Sequence, residues 1–489
     1  MILEIMTDIA SVITDYVLIV LLLGAALYFT VQTRFVQFTM LPEMIRLLLR
    51  SGKRENDSRN RETDGHHTIS SFQAFMVSIA SRVGTGNLAG VATAIAIGGP
   101  GAVFWMWVTA LFGAASAFIE STLAQLFKEK GPKSFIGGPA YYILKGTGKR
   151  WWAVCFAVLI AVTFGLAFNS VQANTISEAF AESFSVPPMV TALTVALLTI
   201  AIIWGGIQSI ARFSEWVVPI MAIAYIILAI WVIATNISTI PHIVKLIVEE
   251  AFGFEQALGG GLGTALVLGV KRGLFSNEAG EGSAPNVAAT ASVSHPVKQG
   301  LIQALGVFTD TLLICTCTAF IILCSGVYGG ITSASADGIV LTQRALESET
   351  GVAGLGSAFV SIAVFFFAFT SIISNYYYGE TNIRFISRRL SGYTVPLYRM
   401  AVGVMVFVGA ISSLAPVWAL ADITMALMTI CNLAALFVLG KYASICLDDY
   451  RFQRRKGHDP KFYSYTVPEL QGLVSVWDDD TDSSNLKEQ

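Results

Sequence analysis

Charge is what this chain has least of. Only 13% of its 489 residues are Asp, Glu, Lys or Arg, about half the share of an ordinary soluble domain. A water-covered globular surface cannot be built from that composition. The formal net charge of −2 also removes the electrostatic pull on which nucleic-acid binding rests. Histidine is rarer still. His66, His67, His242, His295 and His458 all fall between apolar stretches, so no histidine-based metal or nucleophile–base cluster lies within them. The six cysteines (155, 315, 317, 324, 431 and 446) sit in or beside apolar segments and read as small buried hydrophobes, not a disulfide framework. There is no G-x-x-x-x-G-K-[ST] loop, which excludes an ATP-driven motor. Gly84-Thr85-Gly86 is too short for a dinucleotide fingerprint and follows no strand.

What the chain has in excess is apolar sequence, 54% of all residues. Runs of about twenty residues, the length of a bilayer crossing, recur from end to end. By that criterion the spans are 12–31, 69–97, 102–127, 152–180, 189–205, 216–234, 262–293, 300–325, 355–385, 396–414 and 417–443. The fold class is therefore an all-α polytopic membrane protein with about 11 transmembrane helices. The first run follows acidic residues and lacks a small-residue cleavage site, so it reads as a retained helix. The organisation expected is an N-terminal helix with a basic segment (1–68), five spans (69–235), an external connector (236–261), five more spans (262–447) and a tail (448–489).

Basic residues set the orientation. They crowd the segments after the first span (Arg34, Arg46, Arg50, Lys53, Arg54, Arg59, Arg61), the third (Lys128, Lys130, Lys133, Lys145, Lys149, Arg150), the ninth (Arg384, Arg388, Arg389, Arg399) and the last (Arg451, Arg454, Arg455, Lys456). One alternation satisfies them all: amino terminus outside, carboxyl terminus in the cytoplasm. The connector 38–49 reads as an amphipathic surface helix and 241–258 as either a similar external cap or a plain loop, and the acidic, Ser-rich tail after Val476 as disordered.

Two spans carry residues that hydrocarbon does not tolerate. Residues 269–291, GVKRGLFSNEAGEGSAPNVAATA, hold Lys271, Arg272, Glu278 and Glu281 with several glycines and a proline. A charge at mid-bilayer costs roughly 2.5–3.5 kcal/mol on insertion scales, so such groups face protein or water. Glycine and proline weaken the helix and free backbone groups for other partners. The reading is two half-helices meeting near mid-membrane around a cavity. Residues 81–87, SRVGTGN, form a second such patch about 200 residues earlier. The two patches open two sets of five spans, the pattern of an inverted-repeat transporter and of its binding site.

Helix amino ends favour a carboxylate and unpaired carbonyls favour a small cation, so a zwitterion with Na+ is the cargo expected. Thr85, Gly86 and Asn87 from the first break are expected to meet Phe275, Ser276, Asn277 and Gly280 from the second. Glu278 is open to three roles: proton carrier, cation ligand, or structural partner of Arg82, Lys271 or Arg272. Arg82 is expected to pair with an acid. Thr370, Ser371 and Ser374 set hydroxyls along one helix face, suited to a hard cation or to bonding their own backbone carbonyls. Phe164, Phe168, Asn169 and Gln172 share a face that lines a pocket or packs a helix.

The string GGPGAVFWMWVTALFG at 98–113 resembles the signature of the alanine/glycine:cation symporters, the sodium:alanine symporter family. So do GTGN at 84–87, GGPAYY at 137–142, FSNEAG at 275–280 and YGETN at 378–382. The resemblance covers nearly the whole chain. It implies a LeuT-type 5+5 inverted repeat after one extra N-terminal helix, in a bacterial inner (plasma) membrane. The implied activity is Na+-driven, in some members H+-driven, uptake of a small neutral amino acid such as alanine or glycine. It further implies a sodium site of the carbonyls of Ala80, Val83 and Phe367 with the hydroxyls of Thr370 and Ser371. Substrate contacts would fall on Thr85, Gly86 and Asn87, with Phe168, Gln172, Phe275, Ser276, Asn277, Gly280, Ser371 and Asn375 around them. Arg82, Arg272 and Glu278 would serve coupling or gating. Asn375 is small and polar where alanine/glycine carriers are expected to hold a bulky tryptophan, which leaves room for glutamine. A channel gated by an amino acid and a membrane hydrolase using Glu278 are the more distant alternatives.

Overall fold

The computed structural model describes residues 12–58, 69–131, 134–253, 261–327, 338–470, 472–474 and 476–477. The expectations for the basic residues 59–61 and for the acidic tail lie wholly or mostly outside them. Nearly everything described is helical; among the described residues the strands are the two-residue pair β1 (Glu129–Lys130) and β2 (Phe135–Ile136), antiparallel.

In chain order the helices are α1 (Ile13–Gln32), α2 (Leu41–Ser58), α3 (Ser71–Arg82), α4 (Gly86–Gly98), α5 (Gly101–Leu126) and α6 (Pro139–Thr147). Then come α7 (Arg150–Phe184), α8 (Pro188–Ile203), α9 (Ile207–Thr235), α10 (Ile240–Phe252), α11 (Gly261–Asn277) and α12 (Pro285–Ala288). The last are α13 (Pro296–Cys324), α14 (Gly338–Thr350), α15 (Leu355–Ile386), α16 (Ser391–Ile411) and α17 (Leu414–Arg455). Among the described residues, eight helices are long and apolar enough to cross a membrane: α1, α5, α7, α9, α13, α15, α16 and most of α17. On α9 the exposed Trp216, Ile220, Ile223, Ile227 and Ile230 recur at helical spacing, a face fit for lipid.

Both anticipated interruptions are present, and local chemistry produces each. A capping box starts α3: the Ser70 hydroxyl accepts from Gln73 N at 3.0 Å, and the Gln73 carboxamide accepts from Ser70 N at 3.2 Å. The helix stops at Val83, which is extended (φ −79°, ψ 90°). There the Asn87 side chain accepts from Gly84 N at 3.0 Å, a local bond that competes with the helical one. Its continuation α4 opens with a π-wound turn, Gly86–Gly90. The second helix, α11, ends at Asn277 because Glu278 turns left-handed (φ 56°), followed by Gly280 (φ 89°) and Gly282 (φ 86°). Glycine adopts that conformation without a Cβ penalty.

Three expectations are corrected. The second broken span does not resume as a half-helix. Beyond Pro285 it forms one turn, α12, and then leaves helical geometry so that Ser292 N can donate to Ile69 O at 3.0 Å, beside a parallel bridge between Ile69 and Ala291. The last span does not end near residue 443 but continues as α17 to Arg455. The connector 326–354, read as loop, contains α14, whose buried Ile339, Leu341 and Leu346 pack inward and whose Thr342 hydroxyl donates to Leu88 O at 3.2 Å. Of the amphipathic connectors, most of 38–49 lies in α2 and 241–252 in α10, while residues 254–258 lie outside the described residues.

Candidate functional site

The two breaks lie side by side at the centre of the bundle. A Cβ on Gly86 would stand 3.0 Å from the Phe275 ring and 3.2 Å from Cα of Ser276, so only glycine lets α4 and α11 approach this closely. The buried Ser81 hydroxyl, on α3, sits 2.5 Å from a Glu278 carboxylate oxygen and 2.7 Å from Asn375 Oδ1 on α15. Ser283 donates to the other Glu278 oxygen, and Asn375 Nδ2 donates to Asn169 Oδ1 on α7 at 3.2 Å.

Asp310 ties the breaks together from a π-wound stretch of α13, Phe308–Cys315. Its buried carboxylate accepts from Asn87 Nδ2 and Ser276 Oγ, each at 2.7 Å, and from Thr311 Oγ1 at 2.9 Å. Glu120 of α5 holds the second break from behind. Its two oxygens accept from Gly280 N (3.3 Å), Gly282 N (3.0 Å) and Asn432 Nδ2 (3.0 Å). Tyr142 donates to Asn432 Oδ1 and fixes that amide in turn. Asn277 folds its Oδ1 onto Ala279 N at 3.0 Å.

The five residues named for a cation come together. Ser371 Oγ of α15 donates toward Ala80 O at 2.8 Å and Phe367 O at 3.0 Å, with Val83 O at 3.4 Å; Thr370 Oγ1 donates to Phe367 O at 2.9 Å. Three carbonyls and two hydroxyls, all buried, make an all-oxygen donor set of the type hard cations favour. Next to it, Gln172 of α7 accepts from Thr85 N at 2.9 Å. A carboxamide oxygen thus stops the open amide end of the first break, where an anionic oxygen would be favoured. A methyl on Gly84 would run into Ser371 Oγ and lie 2.8 Å from Gln172 Oε1.

An aromatic wall closes one side. Phe164 packs on Phe168 (4.7 Å between ring centres), Phe168 on Phe275 (4.4 Å) and Phe275 on Trp418 of α17 (4.8 Å). The Arg272 guanidinium lies 4.1 Å from the Trp418 ring centre and pairs with Asp422 at 2.8 Å; Lys271 bridges Asp422 (3.4 Å) and Asp15 of α1 (2.9 Å).

Two predicted pairings are therefore wrong. Lys271 and Arg272 do not reach Glu278. Six or seven residues separate them along α11, about 9–10 Å at helical rise, and both turn to Asp422. Arg82 makes no ion pair among the described residues. It donates to Gln303 O at 3.1 Å, with Nε and Nη2 unpartnered. Glu120, Asp310, Trp418 and Asn432 were missed. For the two acids a signal existed: a lone carboxylate inside an apolar span.

A helical membrane bundle with two interrupted helices side by side, facing polar side chains at its centre, has the build of a membrane carrier. The solved structure of MhsT in complex with L-phenylalanine shares that fold: TM-score 0.59 at 15% identity, covering 78% of this chain and 96% of that one. The family description "Sodium:alanine symporter family" matches residues 1–464. Three Bacillus subtilis relatives are also similar. The amino-acid carrier protein AlsT is 49% identical over 460 residues, with 94% of each chain covered. The probable sodium/glutamine symporter GlnT is 49% identical over 470 residues, covering 96% of this chain and 95% of that one. The putative sodium/proton-dependent alanine carrier YrbD is 43% identical over 456 residues, with 91% of each covered. The chain belongs to the sodium:alanine symporter family.

Proposed function

We propose that this chain takes up a small neutral amino acid, alanine or glycine in the first instance, together with Na+, by alternating access. The carrying observation is the oxygen cage of Ala80, Val83, Phe367, Thr370 and Ser371 set directly against the amide end of the first break. Na+ takes the place of the hydrogen bonds in that cage: the Thr370 and Ser371 hydroxyls keep their protons, rotate, and turn lone pairs to the ion beside the three carbonyls. The cargo's carboxylate then displaces the Gln172 carboxamide from Thr85 N, and its side chain meets Phe168, Phe275 and Gly86, with Asn375 beyond. Ion and cargo strengthen each other because both stabilise one closed arrangement of the same break, and the linkage is reciprocal. One charge moving down 100 mV supplies about 2.3 kcal/mol, so the cycle needs no ATP.

In this reading α3–α4, α8 and α11–α12 complete eleven crossings, with repeats over 69–235 and 262–447. The face bearing Arg46, Lys128, Arg388 and Arg454 is cytoplasmic, by the excess of basic residues there. Glutamine is the second cargo to consider: Asn375 is small, and AlsT and GlnT stand at the same 49% identity. H+ in place of Na+ is the second ion, in keeping with the name of YrbD.

Uptake of labelled alanine, glycine and glutamine into proteoliposomes, with Na+ exchanged for choline at two pH values, decides among these. Concentrative uptake that collapses with the Na+ gradient is expected. Uptake indifferent to Na+ but driven by a pH gradient would replace the ion, and cation currents without accumulation would make the protein a channel.

A further inference from the structure

Beyond Arg455 the chain does not run away from the bundle. It turns at Gly457 (φ 82°) and returns across the face where α5 ends and α13 begins. Phe462, Val467, Leu470, Val474 and Trp477 are buried. Backbone and side chains both anchor the return: Phe462 N donates to Ser294 O at 2.9 Å, Ser294 Oγ to Pro460 O at 3.1 Å, and Lys298 Nζ to Asp459 Oδ1 at 2.7 Å. The Trp477 indole N–H lies 3.2 Å from the carbonyls of both Gln125 and Leu126.

What this strap covers is the far end of the second broken span. Beneath it Lys128, 1% exposed, donates to Ala291 O at 3.0 Å and Gln125 Oε1 at 2.7 Å, and its Nζ sits 4.8 Å from the Trp477 ring centre. Gln125 Nε2 also donates to Ala291 O, at 3.0 Å. The exit of the span is thus held by α5 from one side and by the strap from the other. The Trp477 ring closes over the lysine that grips Ala291.

We propose that the described residues 460–470, with Val474 and Trp477, are a working part of the inner gate: they seal the cytoplasmic end of the second broken span, with Trp477 as the clasp, and lift before cargo leaves on that side. The proposal rests on the orientation and transport reading above. A strap that must lift limits exchange from the inside and protects the Lys461–Phe462 peptide bond, because the exposed Lys461 is flanked by the buried Pro460 and Phe462.

The test uses the full-length protein. Trp477→Ala and, independently, Phe462→Ala are expected to accelerate tryptic cleavage after Lys461 in detergent by about fivefold or more, and amino-acid exchange from preloaded proteoliposomes by a similar factor, as loss of one buried aromatic contact allows. Trp477→Phe, which keeps a ring, should restore most of the protection. Cleavage needs no cargo, so a wild-type protein that carries no amino acid would overturn the transport reading while leaving this measurement valid. Unchanged cleavage together with unchanged exchange in both alanine variants would overturn the strap.

Discussion

The two broken spans do the same job with opposite local physics. The first break is short, has no left-handed residue, and is pinned by Ser371 and Gln172 from other helices and by its own Asn87. The second needs three left-handed residues, Glu278, Gly280 and Gly282, and is gathered around one carboxylate, Glu120, that accepts two of its amides. Carbonyls turned toward the Ser371 and Thr370 hydroxyls give the first an all-oxygen lining. Amides turned toward a fixed acid on α5 hold the second in shape, while the buried Glu281 carboxylate beside them has no hydrogen-bond partner among the described residues.

The sharpest way to break that contrast is Gly84→Ala. The added methyl has no room against Ser371 and Gln172, so uptake should fall by roughly 100-fold or more while the protein still folds; normal uptake would mean the first break is loosely packed. Glu120→Gln comes next. It turns an NH2 toward amides that need an acceptor, and losing such a buried, charge-assisted contact should lower maximal uptake about 10- to 100-fold. The Na+ concentration for half-activation should stay within about threefold, because the first break is untouched. Equal loss in both quantities would merge the two sites into one.

Thr370→Ala should weaken Na+ activation by about 3- to 10-fold, one oxygen ligand's worth, with a smaller change in apparent amino-acid affinity at saturating salt. Parallel losses would move the ion elsewhere. The smallest effect concerns the end of the second span. Burial pulls the Lys128 amine from its ordinary range down to about 7, so the closed form disfavours its charge. The resulting stability is complete above the free value near 10.4, declines as pH falls toward 7, and is flat below. Melting of the purified protein should therefore rise by about 1–2 °C between pH 7 and 9, and Lys128→Met should flatten the curve.

Much of this was legible in the chain because broken helices need unusual residues: G-x-G within an apolar run announces a break whatever surrounds it. The cage at Ala80, Val83, Phe367, Thr370 and Ser371 was reachable only through family resemblance, since carbonyl ligands leave no mark in side-chain chemistry. Partners failed where they depend on which spans touch. Arg82 was assigned an acid because a buried guanidinium wants one, yet its neighbour is the Gln303 carbonyl. Glu120 and Asp310 went unnoticed for the converse reason: each looks like an isolated acid until the opposing amides and hydroxyls arrive from other helices. The helix α14 escaped because its apolar stripe is too short and too polar to stand out between two crossings.

Main-chain pairing between Ile69 and Ser292 joins the starting point of one interrupted helix to the finishing point of the other. Neither can swing alone without tearing peptide hydrogen bonds that no side-chain rotation can replace. In the transport reading this seam would make the two breaks move together, and a substitution that loosens it should decouple the cargo's movement from that of the ion.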